Sequence, residues 1–134
     1  MASDGEALTG LWFDGQKYFG QTLSGEAVRQ EELPVFRRTK KWLALYFQGS
    51  IPDFTPALSL DASPFRLAVW EILRQIPYGR VTTYGEIAGI LARRQGKKAL
   101  PAQAVGGAVG HNPISLIIPC HRVVGSDGSL TGYA

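Results

Sequence analysis

Between Ser63-Pro64 and Pro77–Gly79, apolar residues recur at helical spacing: Phe65, Ala68, Val69, Ile72, Leu73 and Ile76 form one stripe. Both ends are marked. Ser63 can accept a first-turn amide, Pro64 lacks an N–H that would have no partner at that position anyway, and Pro77 and Gly79 stop the helix. A helix with one apolar face must bury it against other elements, so the second half of the chain is expected to be a mainly helical unit. The following segments supply the partners. In "RVTTYGEIAGILARR", Thr83 and Glu86 have the spacing of a capping box, which predicts a short helix from about Tyr84 to Leu91. After the basic turn "RRQGKK", Pro101 opens another short helix that runs to Val109.

That last helix is built from Ala102, Gln103, Ala104, Val105, Gly106, Gly107 and Ala108. Two glycines in a helix interior cost roughly 1 kcal/mol each against alanine, a loss that is tolerated where another backbone comes very close. Two short helices joined by a turn make a helix-turn-helix. Readers of the major groove carry long polar side chains, whereas a smooth Ala/Gly helix suits the narrow minor groove, where little sequence information is offered. The composition is consistent with DNA binding of low sequence preference. It is equally consistent with a helix packed tightly on a neighbour through small residues.

The first half reads as a smaller strand-containing unit. Asp14-Gly15 lies between two apolar runs in "LTGLWFDGQKYFG", a hairpin signal. "LPVFRRTKKWLALYFQGS" predicts a helix with Pro34 in its first turn, Val35, Phe36, Leu43, Tyr46 and Phe47 on one face, and Gly49 at its end. "SIPDFTPALSLDASP" reads as the connection to the second unit. The expected fold class is α+β: a strand/helix domain over 1–58, then a mainly helical domain over 59–134 with a winged-helix-like helix-turn-helix. With 45% apolar residues the 134-residue chain can form a core. No apolar run approaches the roughly 18 residues of a membrane span, and "MASDGEALTG" lacks the basic and apolar regions of a secretory signal. The net charge of +3 is mild. Two basic groups, Arg37 to Lys41 and Arg93 to Lys98, are either solvated surface or phosphate-facing stripes.

The chain has a single cysteine, Cys120, in "IPCHRVV". It can form neither an internal disulfide nor a multi-cysteine zinc site, and a reduced, cytoplasmic setting fits it. A lone cysteine is ordinarily a small buried hydrophobe. To act as a nucleophile it must become a thiolate, and His121 and Arg122 are neighbours of the kind that promote this. Residues i and i+1 point apart on a helix, so a Cys-His bond requires an irregular backbone, which Pro119 favours, or a bridging water.

"IPCHRVV" resembles the active-site motif of the O6-alkylguanine-DNA alkyltransferases, direct-reversal DNA repair proteins. The resemblance extends over "VWEILRQIPYGRVTTYGEIA" (69–88), "AVGGAVGHNPISLIIPCHRVVGSDGSLTGYA" (104–134) and, more loosely, "ASDGEALTGLWF", which is nearly the whole chain. It implies a methylated-DNA–protein-cysteine methyltransferase that takes an alkyl group from O6-alkylguanine, and from O4-alkylthymine, onto Cys120 in one turnover. His121 matches the base that draws the thiol proton through a water. Tyr84 matches the hydroxyl that donates to the leaving base and helps rotate the nucleotide out of the stack, an extrusion the chemistry requires. Asn112 matches the brace between the recognition helix and the cysteine, with Arg122 and Tyr133 as further support. Pro101, Ala102, Gln103, Ala104 and Gly106 match the minor-groove helix; Gly85 and Ser126 fall at DNA-facing positions. The implied partner is double-stranded DNA carrying the lesion, with no cofactor, metal, membrane or obligatory protein partner.

Three departures accompany the resemblance. Gln103 stands where many members have arginine; it can fill the gap left by an extruded base but carries no charge, so weaker DNA affinity is expected. The chain stops at Ala134, before the family's helix with a glutamate that accepts from the active-site histidine, and a Met-Ala start replaces an earlier strand-forming segment. Both ends therefore look cut, and reduced or absent repair, self-association and lower stability are expected. A related class, the alkyltransferase-like proteins, binds lesions without transfer and has tryptophan in place of the cysteine; Cys120 speaks against it. A thiol hydrolase or redox protein would need an oxyanion site or a resolving cysteine.

Overall fold

The computed structural model describes residues 1–23 and 27–125. The chain divides into two compact units, Met1–Leu60 and Asp61–Ala134, and the class is α+β. Among the described residues no helix is long and apolar enough to cross a membrane.

In the first unit, β1 (Ala2–Ser3) and β2 (Leu8–Gly10) pair antiparallel. Their connection is held by Asp4, whose carboxylate accepts from the amides of Glu6 and Ala7 at 3.0 and 2.9 Å, and by Ser3, whose hydroxyl donates to Ala7 O at 2.6 Å. The amides of Ala7 and Glu6 hold the Asp4 carboxyl below its usual pKa by bonding its charged form. The hairpin expected across Asp14-Gly15 does not form. Gly15 sits at φ +77 in a turn closed by Gln16 N donating to Phe13 O, and further turns follow it instead of a second strand. The segment read as a connection does more than link: Leu8 N donates to Ala57 O at 2.7 Å and Ser59 N to Leu8 O at 2.9 Å, a parallel bridge between Leu8 and Leu58.

Helix α1 (Pro34–Phe47) forms where expected, with Pro34 in its first turn. Gly49 ends it at φ +84, with Gly49 N donating to Tyr46 O and Ser50 N to Leu45 O, so its last carbonyls are satisfied. Its buried residues are Val35, Thr39 and Trp42, whereas Phe47 is 67% exposed. Thr39 is tolerated inside because its hydroxyl donates to Val35 O at 2.7 Å. Tyr46 spends its ring stacking on Trp42 at 5.2 Å.

In the second unit, α2 (Pro64–Arg74) starts on Ser63, whose Oγ accepts from Arg66 N at 3.3 Å. Helix α3 (Tyr84–Arg94) runs one turn beyond the expected Leu91, because its apolar face continues through Ala92 and Gly96, at φ +67, completes the stop. Half of the capping box forms: Thr83 Oγ1 accepts from Glu86 N at 3.1 Å, while Glu86 accepts from Thr82 Oγ1 at 2.7 Å rather than turning to the cap amide. Helix α4 (Ala102–Gly110) packs on both α2 and α3. Trp70, outside the expected stripe, pins it: its indole Nε1 donates to Ala108 O at 2.9 Å in the interior. Val69, Leu73, Ile87, Leu91, Val105, Val109, Ile114 and Ile118 are fully buried; burying one such side chain contributes about 1.5–3 kcal/mol.

Candidate active site

Two residues of strand bring the site together. β3 (Thr82–Thr83) runs parallel to β4 (Val123–Val124), with Thr82 opposite Val123 and Thr83 opposite Val124. Tyr84 directly follows β3, and the 3₁₀ turn Cys120–Arg122 directly precedes β4. The start of α3 and the Cys120–Arg122 turn are therefore held side by side although they lie far apart in sequence.

The approach to Cys120 is irregular, as Pro119 suggested. Leu116 occupies the left-handed region at φ +67, and Ile117 N donates back to Ser115 O at 2.8 Å, a γ-turn of the strained hand. Pro119, at φ −81 and ψ 69, makes the milder γ-turn, with Cys120 N donating to Ile118 O at 2.8 Å. Asn112 bridges the loop between them. It is 3% exposed; its Oδ1 accepts from Ile114 N at 2.9 Å and its Nδ2 donates to Ile118 O at 2.7 Å. Arg122 fastens the far side: Nη1 donates to Ile76 O at 2.8 Å, just after α2, and the guanidinium lies 5.4 Å from the Tyr78 ring centre.

The Cys120 thiol is free and 8% exposed. Burial pushes its pKa up, partly offset by a hydrogen bond from the Asn112 side chain and by the amides of Cys120 and His121. Burial also raises the Tyr84 phenol, and the Cys120 thiolate, once formed, raises it further. The His121 imidazole is pushed down, first by burial and then by the Arg122 charge beside it. The resting state is thus a protonated thiol, a neutral imidazole able to accept its proton, and a phenol that keeps a proton to donate.

Tyr84 also touches α4. A Cβ added to Gly106 would stand 4.0 Å from Cδ1 and Cε1 of the Tyr84 ring. Within the described protein, Gly106 faces this ring at ordinary contact distance, and at Gly107 a Cβ would meet nothing within 4 Å. Pro101, Ala102, Gln103 and Ala104 are exposed along the first part of α4, and Gly85 is exposed in the first turn of α3. Tyr84, Asn112, Cys120 and Gly106 thus converge. Ser126 and Tyr133 lie outside the described residues. Sequence reasoning missed Ile76 and Tyr78 as the seat of Arg122, Leu116, and the parallel strand pair. Tyr78 had a faint signal in the Pro-Tyr-Gly turn, while a two-residue strand has none.

The family model described as "6-O-methylguanine DNA methyltransferase, DNA binding domain" matches residues 64–134. A methylated-DNA–protein-cysteine methyltransferase of Haemophilus influenzae is 42% identical over 134 residues, 99% of this chain and 70% of the relative. One from Methanosarcina acetivorans is 42% identical over 107 residues, 80% of this chain and 64% of the relative. The chain thus spans about two thirds of the length of these relatives. The crystal structure of Mycobacterium tuberculosis OGT in complex with DNA matches with a TM-score of 0.76 at 37% identity, covering 99% of this chain and 75% of that one.

Proposed function

The chain belongs to the 6-O-methylguanine DNA methyltransferase family, and from that premise we propose that it repairs DNA by direct reversal, moving an alkyl group from O6 of guanine to Cys120. The reading extends to O4-alkylthymine, which presents the same alkyl–oxygen bond. The observation that carries it is the convergence of the Cys120 thiol with the Asn112 side chain and the Tyr84 phenol beside the Gly106 face of α4.

The step is a displacement at a saturated carbon, for which a thiolate is the most effective nucleophile a protein has. His121 takes the thiol proton through a water; its depressed pKa keeps it unprotonated beforehand. The sulfur–carbon bond forms as the carbon–O6 bond breaks, and the electron pair goes to the guanine. Tyr84 donates to the base as that charge develops, and the proton drawn from sulfur ultimately neutralises it. The thioether has no facile reverse path, so each molecule acts once.

The alkylated base must leave the stack to reach a thiol this enclosed. The Ala/Gly face of α4 enters the minor groove, where small side chains permit close approach. Gly85 and the exposed Pro101, Ala102, Gln103 and Ala104 line that approach, and Gln103 occupies the space vacated by the base. Asn112 and Arg122 position the nucleophile turn from its two sides. A titration of lesion-bearing duplex against protein tests the proposal: removal should plateau at one lesion per active molecule, and continuing turnover would exclude it.

A further inference from the structure

Arg122 closes the 3₁₀ turn that begins at Cys120, and its side chain leaves that turn for the segment just after α2. Nη1 donates to Ile76 O at 2.8 Å, and the guanidinium lies over the Tyr78 ring, 5.4 Å from its centre. Among the described residues no carboxylate pairs with Arg122. The two anchors hold this cation without cancelling its charge: a carbonyl and an aromatic face offer only partial negative charge, whereas a carboxylate in their place would neutralise the guanidinium. The charge acts on the next residue. It disfavours the protonated form of His121, second only to burial.

A turn, not burial, places Tyr78. Helix α2 ends with Ile76 N donating to Leu73 O at 3.1 Å, and Arg80 N then donates to Pro77 O at 3.1 Å. Tyr78 and Gly79 are the two central residues of that turn, and Gly79, at φ +80, supplies the positive φ that a type II turn needs at its second centre. The Tyr78 side chain is thereby held away from the core: the residue is 48% exposed, and its face meets Arg122.

We propose that Tyr78 is a positioning residue for alkyl transfer: its ring holds the Arg122 guanidinium, which fixes the Cys120–Arg122 turn and keeps a positive charge beside the His121 imidazole. This role rests on the reading that His121 is the base for Cys120. Of the other groups at the turn, the Cys120 thiol and the Tyr84 phenol from the start of α3 are neutral at rest, and the Glu86 carboxylate one turn along α3 is engaged by Thr82 Oγ1. Tyr78 acts only through Arg122.

The test measures single-turnover transfer across pH, from O6-methylguanine duplex and from a free O6-alkylguanine base, in the unchanged protein, Tyr78→Phe, Tyr78→Leu, Arg122→Gln and Tyr78→Leu/Arg122→Gln. Tyr78→Phe keeps an aromatic face and should match the unchanged protein. Tyr78→Leu should slow transfer from both substrates by about two- to five-fold, the rate equivalent of an exposed cation–π interaction of about 0.5–1 kcal/mol. It should also move the acid limb to higher pH, because a loosened Arg122 no longer opposes protonation of His121. In the Arg122→Gln background, Tyr78→Leu should change neither the rate nor the limb. Equal behaviour of the Phe and Leu variants, a loss confined to duplex substrate, or a full effect of Tyr78→Leu without Arg122 would overturn the role. If the unchanged protein transfers from neither substrate, the repair reading fails, and an NMR titration of the His121 ring still decides the role of Tyr78: its midpoint should rise in Tyr78→Leu and not in Tyr78→Phe, and an unmoved midpoint in Tyr78→Leu would overturn it.

Discussion

Asn112 donates from Nδ2 to the carbonyl of Ile118 at 2.7 Å, two residues before Cys120. The same side chain accepts from Ile114 N and favours the charged form of the Cys120 thiol, partly offsetting the effect of burial. It therefore both shapes the turn and favours the thiolate. Replacing it with alanine leaves the buried Ile114 amide without its partner, costing about 1–3 kcal/mol, and reduces the Ile118 carbonyl to its bond from Cys120 N, costing about 1 kcal/mol more. Asn112→Ala should lower the unfolding free energy by roughly 2–4 kcal/mol in denaturant titration. A loss below about 0.5 kcal/mol, the range of an ordinary surface change, would show that Asn112 is not the brace.

The pH behaviour follows from the two neighbouring shifts. Cys120 is raised, so its reaction with iodoacetamide should reach half-maximum above the ordinary thiol range, and higher still in Asn112→Ala if the protein remains folded. His121 is lowered from 6.5: the fold disfavours its charged form. The stability it confers is present above pH 6.5 and is lost as pH falls through the folded-state pKa. Transfer should decline over the same acid interval, and His121→Gln should remove that limb. An NMR titration of the His121 ring with a midpoint at or above 6.5 would contradict this.

Tyr84→Phe retains the ring against Gly106 and deletes only the hydroxyl. Transfer should slow by roughly 10²-fold, the lower end of what a positioned proton donor contributes, while the unfolding free energy changes by about 1 kcal/mol or less. Equal transfer rates in single-turnover assays would remove Tyr84 from the chemistry.

At Gly107 stability and binding should move in opposite directions. A Cβ there meets nothing within 4 Å in the free protein, so Gly107→Ala should raise the unfolding free energy by about 1 kcal/mol through helix propensity. If the smooth face of α4 seats in the groove, the same methyl should weaken duplex affinity without slowing transfer from a free alkylated base. Unchanged duplex affinity would place the groove contact elsewhere.

What the sequence disclosed and what it concealed have distinct causes. Helices α1, α2 and α4 were legible because proline, glycine and capping residues act locally: α1 begins at Pro34 and stops shortly before Gly49. Its buried face was not, because Thr39 offsets its polarity through a hydrogen bond to Val35 O and Phe47 finds no cover. Asp14-Gly15 does make a turn, but a hairpin also needs a partner strand, and Leu8 takes the 57–59 segment instead. Cys120, His121, Tyr84 and Asn112 were singled out through the resemblance carried by "IPCHRVV" and its upstream motifs. The geometry that joins them was not. A parallel pairing of Thr82–Thr83 with Val123–Val124 is two residues long and carries no periodicity, and a leucine at φ +67 has no compositional mark.

The central claim is that the Cys120 sulfur attacks the alkyl carbon of a base drawn out of the duplex. Intact-protein mass spectrometry after prolonged incubation with O6-methylguanine duplex measures this directly, with Cys120→Ala beside it. A gain of one methyl group per chain, localised to Cys120 and absent from the variant, is the expected result. Unmodified protein that nonetheless binds the lesion tightly, or a methyl group carried by any other residue, would contradict it.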